Sequence, residues 1–263
     1  MPEGDTVHRT ARRLGAALTG SPLTSTDFRV PSLATTDLSG EVVGESLARG
    51  KHLLLRLGDD WTLHTHLKME GAWHLHRPGA RWRRPTHEAR VVLATADWQA
   101  VGFALGVVEL LARDDEHDAV GHLGPDLLGP DWDREVALAR LAAAPGLPVA
   151  QALLDQRNLA GIGNMYAAEV LFLSGVDPRT PVASVPGLPG VVDRARRLLT
   201  ANVEREVQTT TGSLARGRRM WVYRRAGQRC LRCGTRVEQA MVGAAGRERA
   251  TYWCPSCQPA RPS

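Results

Sequence analysis

The four cysteines of this 263-residue chain form two pairs near its C-terminal end, and both pairs have the spacing of metal ligands. The pattern is C-x2-C-x20-C-x2-C, formed by Cys230, Cys233, Cys254 and Cys257. Two residues between thiolates allow a tight turn to direct both sulfurs at one ion, and two such turns complete a tetrahedral site. We therefore predict one Zn2+ ion with a structural role, because four thiolates leave no open coordination position.

Two disulfides are the alternative for these cysteines. The chain begins MPEGDTVHRT, which lacks the apolar stretch of a signal peptide. It also has no run of about 18 apolar residues that could span a membrane. We therefore expect a cytoplasmic protein with no membrane partner, in which thiols stay reduced, and this expectation favours zinc.

The positive charge of the chain indicates a polyanionic partner. Its net charge is +5 and its sequence pI is about 9.4, and cationic side chains that bind phosphates release counterions. Seven arginines crowd one stretch around the first cysteine pair: Arg216, Arg218, Arg219, Arg224, Arg225, Arg229 and Arg232. Such a run is usually a solvated face, but its position beside the cysteines favours nucleic-acid binding.

The first half of the chain is predicted to be a helix followed by strands. Apolar residues at helical spacing predict a helix over 5–19, with Asp5 or Thr6 as its N-cap. Residues 23–112 are predicted to be β-rich, with a hairpin formed by 51–57 and 61–67. Further strands are predicted at 91–93 and 101–105.

The second half is predicted to be helical, with helices near 133–143, 148–157, 164–174 and 188–208. The glycine- and proline-rich segment 123–130 is predicted to be a domain linker. Residues 159–164, LAGIGN, place two glycines just before a helix, where backbone N–H groups favour an anion such as phosphate. An ordinary corner between helices is the alternative, and the pattern alone favours it.

Four segments, in order along the chain, resemble the formamidopyrimidine-DNA glycosylase and endonuclease VIII family. They are MPEG at the start, RGK at 49–51, DQRNLAGIGNMYAAE at 155–169, and VYRRAGQRCLRCG with RATYWCPSCQ inside 222–258. The resemblance implies an α+β multidomain fold. An N-terminal helix plus β-sandwich domain would cover 1–122, a helical helix–two-turn–helix DNA-binding domain 123–215, and a four-cysteine zinc finger 222–258.

The family resemblance also implies an activity and its residues. The activity is a base-excision repair glycosylase and lyase that acts as a monomer on damaged DNA in the nucleoid, removing an oxidised base and nicking the strand. The implied catalytic residues are Pro2, Glu3, Lys51 and Arg249. Pro2 becomes the N-terminus after removal of Met1 and attacks C1′ of the sugar, Glu3 transfers protons, and Lys51 and Arg249 contact phosphates during the chemistry. Asn164 resembles the family's phosphate-binding asparagine.

The start PEGDT and the ending YWCPSCQ resemble the endonuclease VIII branch, which removes oxidised pyrimidines. Met69 matches the residue that fills the gap left by the flipped base, and Lys68 falls where that branch has a DNA-contacting glutamine. His122 stands where relatives often carry a DNA-contacting arginine. The Arg–Phe wedge of the other branch is not found, and the segment 212–221 is short for a loop that covers 8-oxoguanine. These features favour oxidised pyrimidines over 8-oxoguanine.

A proline amine suits lyase chemistry for two reasons. An α-amino group has a pKa near ~7.7–8, far below the ~10.4 of lysine, so much more of it is neutral and nucleophilic at pH 7. A secondary amine also forms an iminium that cannot lose a proton from nitrogen, so it remains an electron sink while the 3′ phosphate leaves.

Two other classes of protein fit parts of the sequence. A non-catalytic sensor of damaged DNA would keep the finger and Asn164, but it would lose or block Pro2, which is present here. A zinc-ribbon RNA-binding protein would explain the basic run and the cysteines, but not the start MPEG or the GIGN segment.

Overall fold

The computed structural model describes residues 2–243 and 248–260. The chain divides into two compact units, with the boundary between His122 and Leu123. Among the described residues, no helix is long and apolar enough to cross a membrane.

The first unit is a helix packed on a β-sandwich. Helix α1 covers Gly4–Leu18. The eight strands are β1 Ser25–Phe28, β2 Val43–Arg49, β3 His52–Leu57, β4 Trp61–His66, β5 Ala72–His76, β6 Ala89–Ala94, β7 Gln99–Phe103 and β8 Val107–Ala112. They form two antiparallel sheets with strand orders β1-β6-β7-β5 and β2-β3-β4-β8. A short helix α2, Glu116–Val120, follows β8.

One apolar core joins α1 to both sheets. Leu14 and Leu18 of α1 pack with Leu55 of one sheet and Leu93 of the other, and each of the four is at most 1% exposed. Burying one such leucine contributes about 1.5–3 kcal/mol, so this core holds α1 against both sheets. The expected N-cap is wrong: the helix begins at Gly4 with Glu3 as its N-cap residue, because Asp5 is fully buried rather than exposed at the helix end.

The second unit is built around one helix that is buried along most of its length. Its helices are α3 Arg134–Ala142, α4 Val149–Leu154, α5 Asn164–Ser174 and α6 Leu188–Val203, and its strands are β9 Glu238–Val242 and β10 Arg249–Trp253. Side chains of α5 such as Tyr166 pack among the other helices. Phe172, also on α5, packs against the cysteine-bearing segment, so α5 contacts both parts of the unit.

Two expected helices end earlier than their composition suggests. Helix α4 stops before Asp155, whose side chain accepts a hydrogen bond from the backbone N–H of Arg157 and so favours a turn. Helix α6 stops at Val203, because the Asn202 amide hydrogen-bonds both the N–H and the carbonyl of Thr209 and reverses the chain.

The segment 123–130 is not a free linker, which corrects the sequence-based prediction. Leu127 is fully buried, and its N–H donates to the carbonyl of Ala160 at 3.2 Å. The N–H of Ala160 in turn donates to the carbonyl of Pro125 at 2.9 Å. The segment is therefore a packed part of the second unit, adjoining the glycine loop that precedes α5.

Candidate active site and cysteine centre

Pro2 and Glu3 lie at the N-terminal end of a helix of 15 residues. Pro2 is half-buried, and Met1 lies outside the described residues. The Glu3 side chain is 1% exposed, and its backbone carbonyl accepts from the N–H groups of Thr6 and Val7 at 3.0 and 3.1 Å, which starts the helix. The positive end of the helix dipole favours the neutral form of an amine at residue 2 and the ionised form of a nearby carboxylate.

Lys51 lies in a two-residue turn rather than in a strand, which corrects the start expected for that strand. Strands β2 and β3 pair Arg49 with His52, leaving Gly50 and Lys51 as the connection. Gly50 has φ 59, which glycine adopts without steric cost. The half-buried Lys51 is therefore presented at the tip of a tight hairpin.

Four histidines cluster behind this hairpin tip, and the sequence indicated a role for only one of them, His122. The ring of His52 lies 5.0 Å from the rings of both His64 and His66, and 6.2 Å from that of His122. His52 Nδ1 is 2.8 Å from His64 Nε2, and His64 Nδ1 is 2.9 Å from Glu109 Oε2. Because a carboxylate only accepts, His64 Nδ1 donates to Glu109, and His64 Nε2 accepts from His52.

The loop after β4 presents Lys68 and Met69 to solvent. Lys68 has φ 50, an uncommon conformation for a residue with a side chain, and its N–H donates to His66 Nδ1 at 2.9 Å. Gly71 closes the loop by donating to the carbonyl of Leu67 at 2.8 Å, and a Cβ at Gly71 would lie only 2.4 Å from that oxygen. Met69 is 56% exposed, so this constrained loop presents an apolar side chain to solvent.

The histidine cluster brings together several residues that the sequence indicated separately. Burial first, and then the positive charges of Lys68 and Lys51, lower the pKa of His66 to about 4. Burial and the neighbouring histidines, His122 among them, lower the pKa of His52 to about 3. The exposed His122 therefore lies on the same face of this unit as Lys68. At neutral pH His52 and His66 are therefore uncharged.

These depressed pKa values predict a loss of stability on acidification. An unfolded histidine titrates near 6.5, whereas His52 and His66 titrate near 3 and 4 in the folded protein. Between these values the unfolded state binds more protons, so the free energy of unfolding falls as pH falls, by up to about 1.4 kcal/mol per pH unit for each group. Urea unfolding between pH 7.5 and 4.5 should show a shallower slope for His52→Gln than for the wild type. The exposed His87→Gln variant should keep the wild-type slope; equal slopes for all three proteins would contradict the prediction.

In the second unit, Asn164 and Arg249 lie close together. Asn164 is the first residue of α5, and its side-chain Nδ2 donates to the carbonyl of Ala250 at 2.8 Å. Ala250 follows Arg249, the exposed first residue of β10. The preceding glycine loop contains Gly161 with φ 98 and ends at Gly163, the N-cap residue of α5. The N-terminal end of α5 and the exposed Arg249, whose Nη1 donates to the carbonyl of Glu248 at 3.4 Å, therefore both adjoin the start of β10.

The four cysteines form a centre of the size that zinc requires. Their sulfur atoms all lie within 4.8 Å of one another. A tetrahedron with Zn–S distances of about 2.3 Å separates the sulfurs by about 3.8 Å, and pairs here are 3.4 and 4.0 Å apart. These distances exclude disulfide bonds, whose S–S length is about 2.05 Å. Cys230 and Cys254 are buried against Phe172 of α5, so the centre joins the finger strands to that helix.

A buried carboxylate, Glu169, fixes the segment that leads into the finger. It accepts from the backbone N–H groups of Trp221, Val222 and Tyr223 at 2.7–2.8 Å and from the hydroxyl of Thr210. Burial raises the pKa of the Glu169 carboxyl, whereas these four donors favour its ionised form. The sequence-based prediction had no role for this residue, because its partners lie about 50 positions further along the chain.

Comparison with known proteins places these features in one family. A family model for the formamidopyrimidine-DNA glycosylase N-terminal domain matches residues 1–104, and one for the formamidopyrimidine-DNA glycosylase H2TH domain matches residues 123–213. "Probable endonuclease 8 2" of Streptomyces coelicolor is 53% identical, covering 98% of this chain and 94% of the relative. "DNA-(apurinic or apyrimidinic site) lyase Nei2" of Mycolicibacterium smegmatis is 52% identical, covering 99% and 100%. "Endonuclease 8" of Escherichia coli is 32% identical, covering 98% and 100%.

Solved structures match the same architecture at lower identity. A Lactococcus lactis Fpg bound to DNA with an abasic site superposes with a TM-score of 0.82 at 24% identity, covering 98% of this chain and all of the other. MutM bound to DNA containing carbocyclic 8-oxo-G gives a TM-score of 0.80 at 24% identity, with the same coverage. At this identity the likeness establishes the fold, which agrees with the expected helix, β-sandwich and helical domain.

Proposed function

The chain belongs to the formamidopyrimidine-DNA glycosylase and endonuclease VIII family, in its endonuclease VIII-like branch, and we propose that it is a base-excision repair enzyme that uses the amine of Pro2. The enzyme is a DNA glycosylase and AP lyase. The observation that carries this assignment is similarity along nearly the whole chain to relatives named as endonuclease 8 and as an AP lyase. The position of Pro2 at the start of α1 supports its role as nucleophile.

The chemistry begins once Met1 has been removed. The neutral amine of Pro2 attacks C1′ of the damaged nucleotide, the C1′–N bond breaks, and the base leaves with a proton. The sugar ring opens as its O4′ takes a proton, which gives an iminium between the proline nitrogen and C1′. Loss of a proton from C2′ then expels the 3′ phosphate, which nicks the strand, and water finally releases the amine.

Glu3 is the proposed proton carrier for these steps. Its side chain is 1% exposed and directly follows the nucleophile, so little solvent competes for its protons. The position of the half-buried Lys51 at the tip of a two-residue turn supports a contact with phosphate. Asn164 at the start of α5 and Arg249 at the start of β10 are the proposed phosphate contacts of the second unit.

We propose oxidised pyrimidines as the preferred lesions. The exposed Met69 on its constrained loop suits insertion into the gap left by a flipped base, with Lys68 and His122 binding DNA on the same face. The segment 212–221 contains neither helix nor strand, and its carbonyls at Arg218 and Arg219 accept from the hydroxyls of Thr211 and Thr209, which precede it. So short a braced loop supports a pocket without a long cover for 8-oxoguanine.

The remaining proposals concern metal, assembly and location. One Zn2+ held by the four cysteines would stabilise the finger, and its thiolate ligands leave no position for substrate. The protein would act as a monomer on damaged DNA in the cytoplasm, at the nucleoid. The proposed domains are 1–122, 123–215 and 222–258, with the last two packed together through α5.

Borohydride trapping tests the proposed mechanism directly. Wild-type protein lacking Met1 is mixed with a duplex that carries one oxidised pyrimidine, and reduction converts the iminium into a stable adduct. We expect a covalent adduct that peptide mass mapping locates at Pro2. A matched duplex with 8-oxoguanine should give less adduct; the reverse order would favour the other branch of the family.

One outcome of this experiment would contradict the proposed mechanism. If no adduct forms on any lesion or on an abasic site, and intact mass shows that Met1 is absent, the enzyme proposal is wrong. The protein would then be a sensor that binds damaged DNA without cleaving it. A preference for RNA over lesion-bearing duplex in competition would instead support the zinc-ribbon alternative.

A further inference from the structure

An arginine-rich loop connects β5 and β6 in the first unit. We define it as residues 77–86, which carry four arginines: Arg77, Arg81, Arg83 and Arg84. None of these residues has a part in the proposed chemistry. The loop lines an open groove of about 630 Å³ formed by residues 80–86.

The arginine loop is held against the sheet by an aromatic anchor. Trp82 donates through Nε1 to Gln99 Oε1 at 2.6 Å and meets the ring of Phe103 edge-on at 5.7 Å. The guanidinium of Arg29 lies 5.3 Å from the Trp82 ring. Because Trp82 is fixed from two sides, its neighbours in the chain project from a defined position.

The loop is also joined to the Met69 loop described above. Arg84 forms an ion pair with Glu88, and its Nη1 donates to the backbone carbonyl of Glu70 at 2.9 Å. Glu70 directly follows Met69, the residue proposed to enter the duplex. The arginine loop therefore lies beside the part of the first unit that is expected to meet DNA.

Arg81 and Arg83 take no part in these contacts of Trp82 and Arg84. Both are exposed, and neither forms an ion pair with an acidic side chain within residues 2–243 and 248–260. Arg83 also acts on the sheet below, where burial first, and then the charge of Arg83, lower the pKa of His76 and favour its neutral form. Two like charges two positions apart repel each other, so the arrangement is suited to an anion that neutralises both.

We propose that Arg81 and Arg83 bind the phosphodiester backbone of the lesion-bearing duplex, outside the nucleotide that is excised. This inference rests on the proposed function, since the Met69 loop places DNA beside the arginine loop only if the protein acts on a damaged duplex. Guanidinium groups match phosphate oxygens with two parallel hydrogen bonds, and exposed arginines without acidic partners need no ion pair broken before they bind. The contact would add affinity without reading sequence.

The double variant R81Q/R83Q tests the contact by its salt dependence. The probe is a duplex with a tetrahydrofuran abasic analogue, which binds without being cleaved. Each phosphate contact contributes roughly 0.9 to the slope of log K against log salt, so the slope should decrease by about 1.8. If counterion release accounts for the whole contact, the Kd rises by about 30-fold at about 0.15 M salt. The nicking rate at saturating lesion DNA should stay unchanged.

The variant R140Q/R197Q is the matched control, because it removes two exposed arginines from α3 and α6 of the second unit. The slope of log K against log salt for R140Q/R197Q should lie closer to the wild-type slope than the slope for R81Q/R83Q does. A second arm shortens the duplex one base pair at a time from each end. The wild type should lose affinity abruptly when one end is trimmed past the contacted phosphates, whereas R81Q/R83Q should show no such step.

Three outcomes would overturn the inference. These are an unchanged salt slope for R81Q/R83Q, an equal loss in both double variants, or binding of an acidic protein segment to this loop with DNA affinity unaffected. Failure of borohydride trapping would instead overturn the proposed mechanism. The two failures are distinguishable, because the tetrahydrofuran duplex measures binding without any chemistry.

Discussion

Glu3→Gln is expected to lower base release and strand nicking by about 10²–10⁴-fold, the usual contribution of a positioned acid or base. The amide has nearly the same volume as the carboxyl group, but it cannot carry a proton between sugar oxygen, C2′ and water. The backbone of Glu3 still starts α1, since the carbonyl that accepts from Thr6 and Val7 is unchanged. DNA affinity should therefore change by less than about threefold, or roughly 0.7 kcal/mol, because Glu3 makes none of the proposed phosphate contacts.

The measurement is single-turnover nicking of an oxidised-pyrimidine duplex, with Kd determined in parallel on the tetrahydrofuran duplex. Glu206→Gln, an exposed acid-to-amide change in the second unit, is the control and should nick at the wild-type rate. Pro2→Gly should also lose nicking while it keeps binding, because the secondary amine is gone. A Glu3→Gln protein that nicks normally would show that Glu3 only begins the helix.

Local patterns predicted the elements that carry the candidate site. Helix α5 has the expected bounds, 164–174, because a glycine loop precedes it and Gly175 with φ 66 ends it. The hairpin of β3 and β4 was also expected. Apolar residues form a run in β3 and alternate with polar residues in β4, and a Gly-Asp-Asp turn separates the two strands. The cysteine spacing predicted the sulfur cluster, because two short turns suffice to build it. In each case the signal lies in the segment that forms the feature.

Features that depend on partners far along the chain were not predicted. His64 meets Glu109 only because β8 pairs with β4 in a register that places the two residues opposite each other. Sequence periodicity does not give strand order. Neither the histidine cluster nor the depressed pKa values of His52 and His66 could therefore be derived from the sequence. The packed segment 123–130 was mistaken for a linker for a related reason. Its glycines and prolines indicate turns, but only the bridge between Asp126 and Ala160 shows where it packs.

Sequence motifs and the structure contribute different information about the candidate site. Residue types and motifs indicated Pro2, Glu3 and Lys51, whereas the structure adds the surroundings that control them. Behind Lys51, burial and neighbouring charges keep His52 and His66 neutral at pH 7. Arg84 then joins the Met69 loop to two further arginines through a backbone carbonyl, a contact that no motif encodes. Variants in these supporting residues should therefore alter affinity and pH dependence more than the bond-breaking steps.

Cys254→Ser is expected to unfold the finger and to weaken binding to all DNA, damaged or not. Zinc contributes about 10–16 kcal/mol to the folding of small finger peptides, so losing one of four thiolates removes most of what holds this segment. Cys254 is fully buried and packs with Phe172, and Arg249 lies on the strand that leads to it. Loss of the Arg249 contact and of neighbouring cationic side chains should raise the Kd at least about tenfold.

Bound zinc, measured by elemental analysis, should fall from one ion per chain to nearly none. Fluorescence should report the exposure of Trp253, which is 3% exposed in the folded finger. Ser256→Ala is the control, because the exposed Ser256 lies between the second pair of cysteines, and its hydroxyl hydrogen-bonds the hydroxyl of the half-buried Thr235 at 2.8 Å. Since Glu169 anchors the chain before the finger, the segment 221–223 should stay attached to α5 in Cys254→Ser. Full zinc content and unchanged DNA affinity in Cys254→Ser would mean that the four sulfurs do not hold the ion.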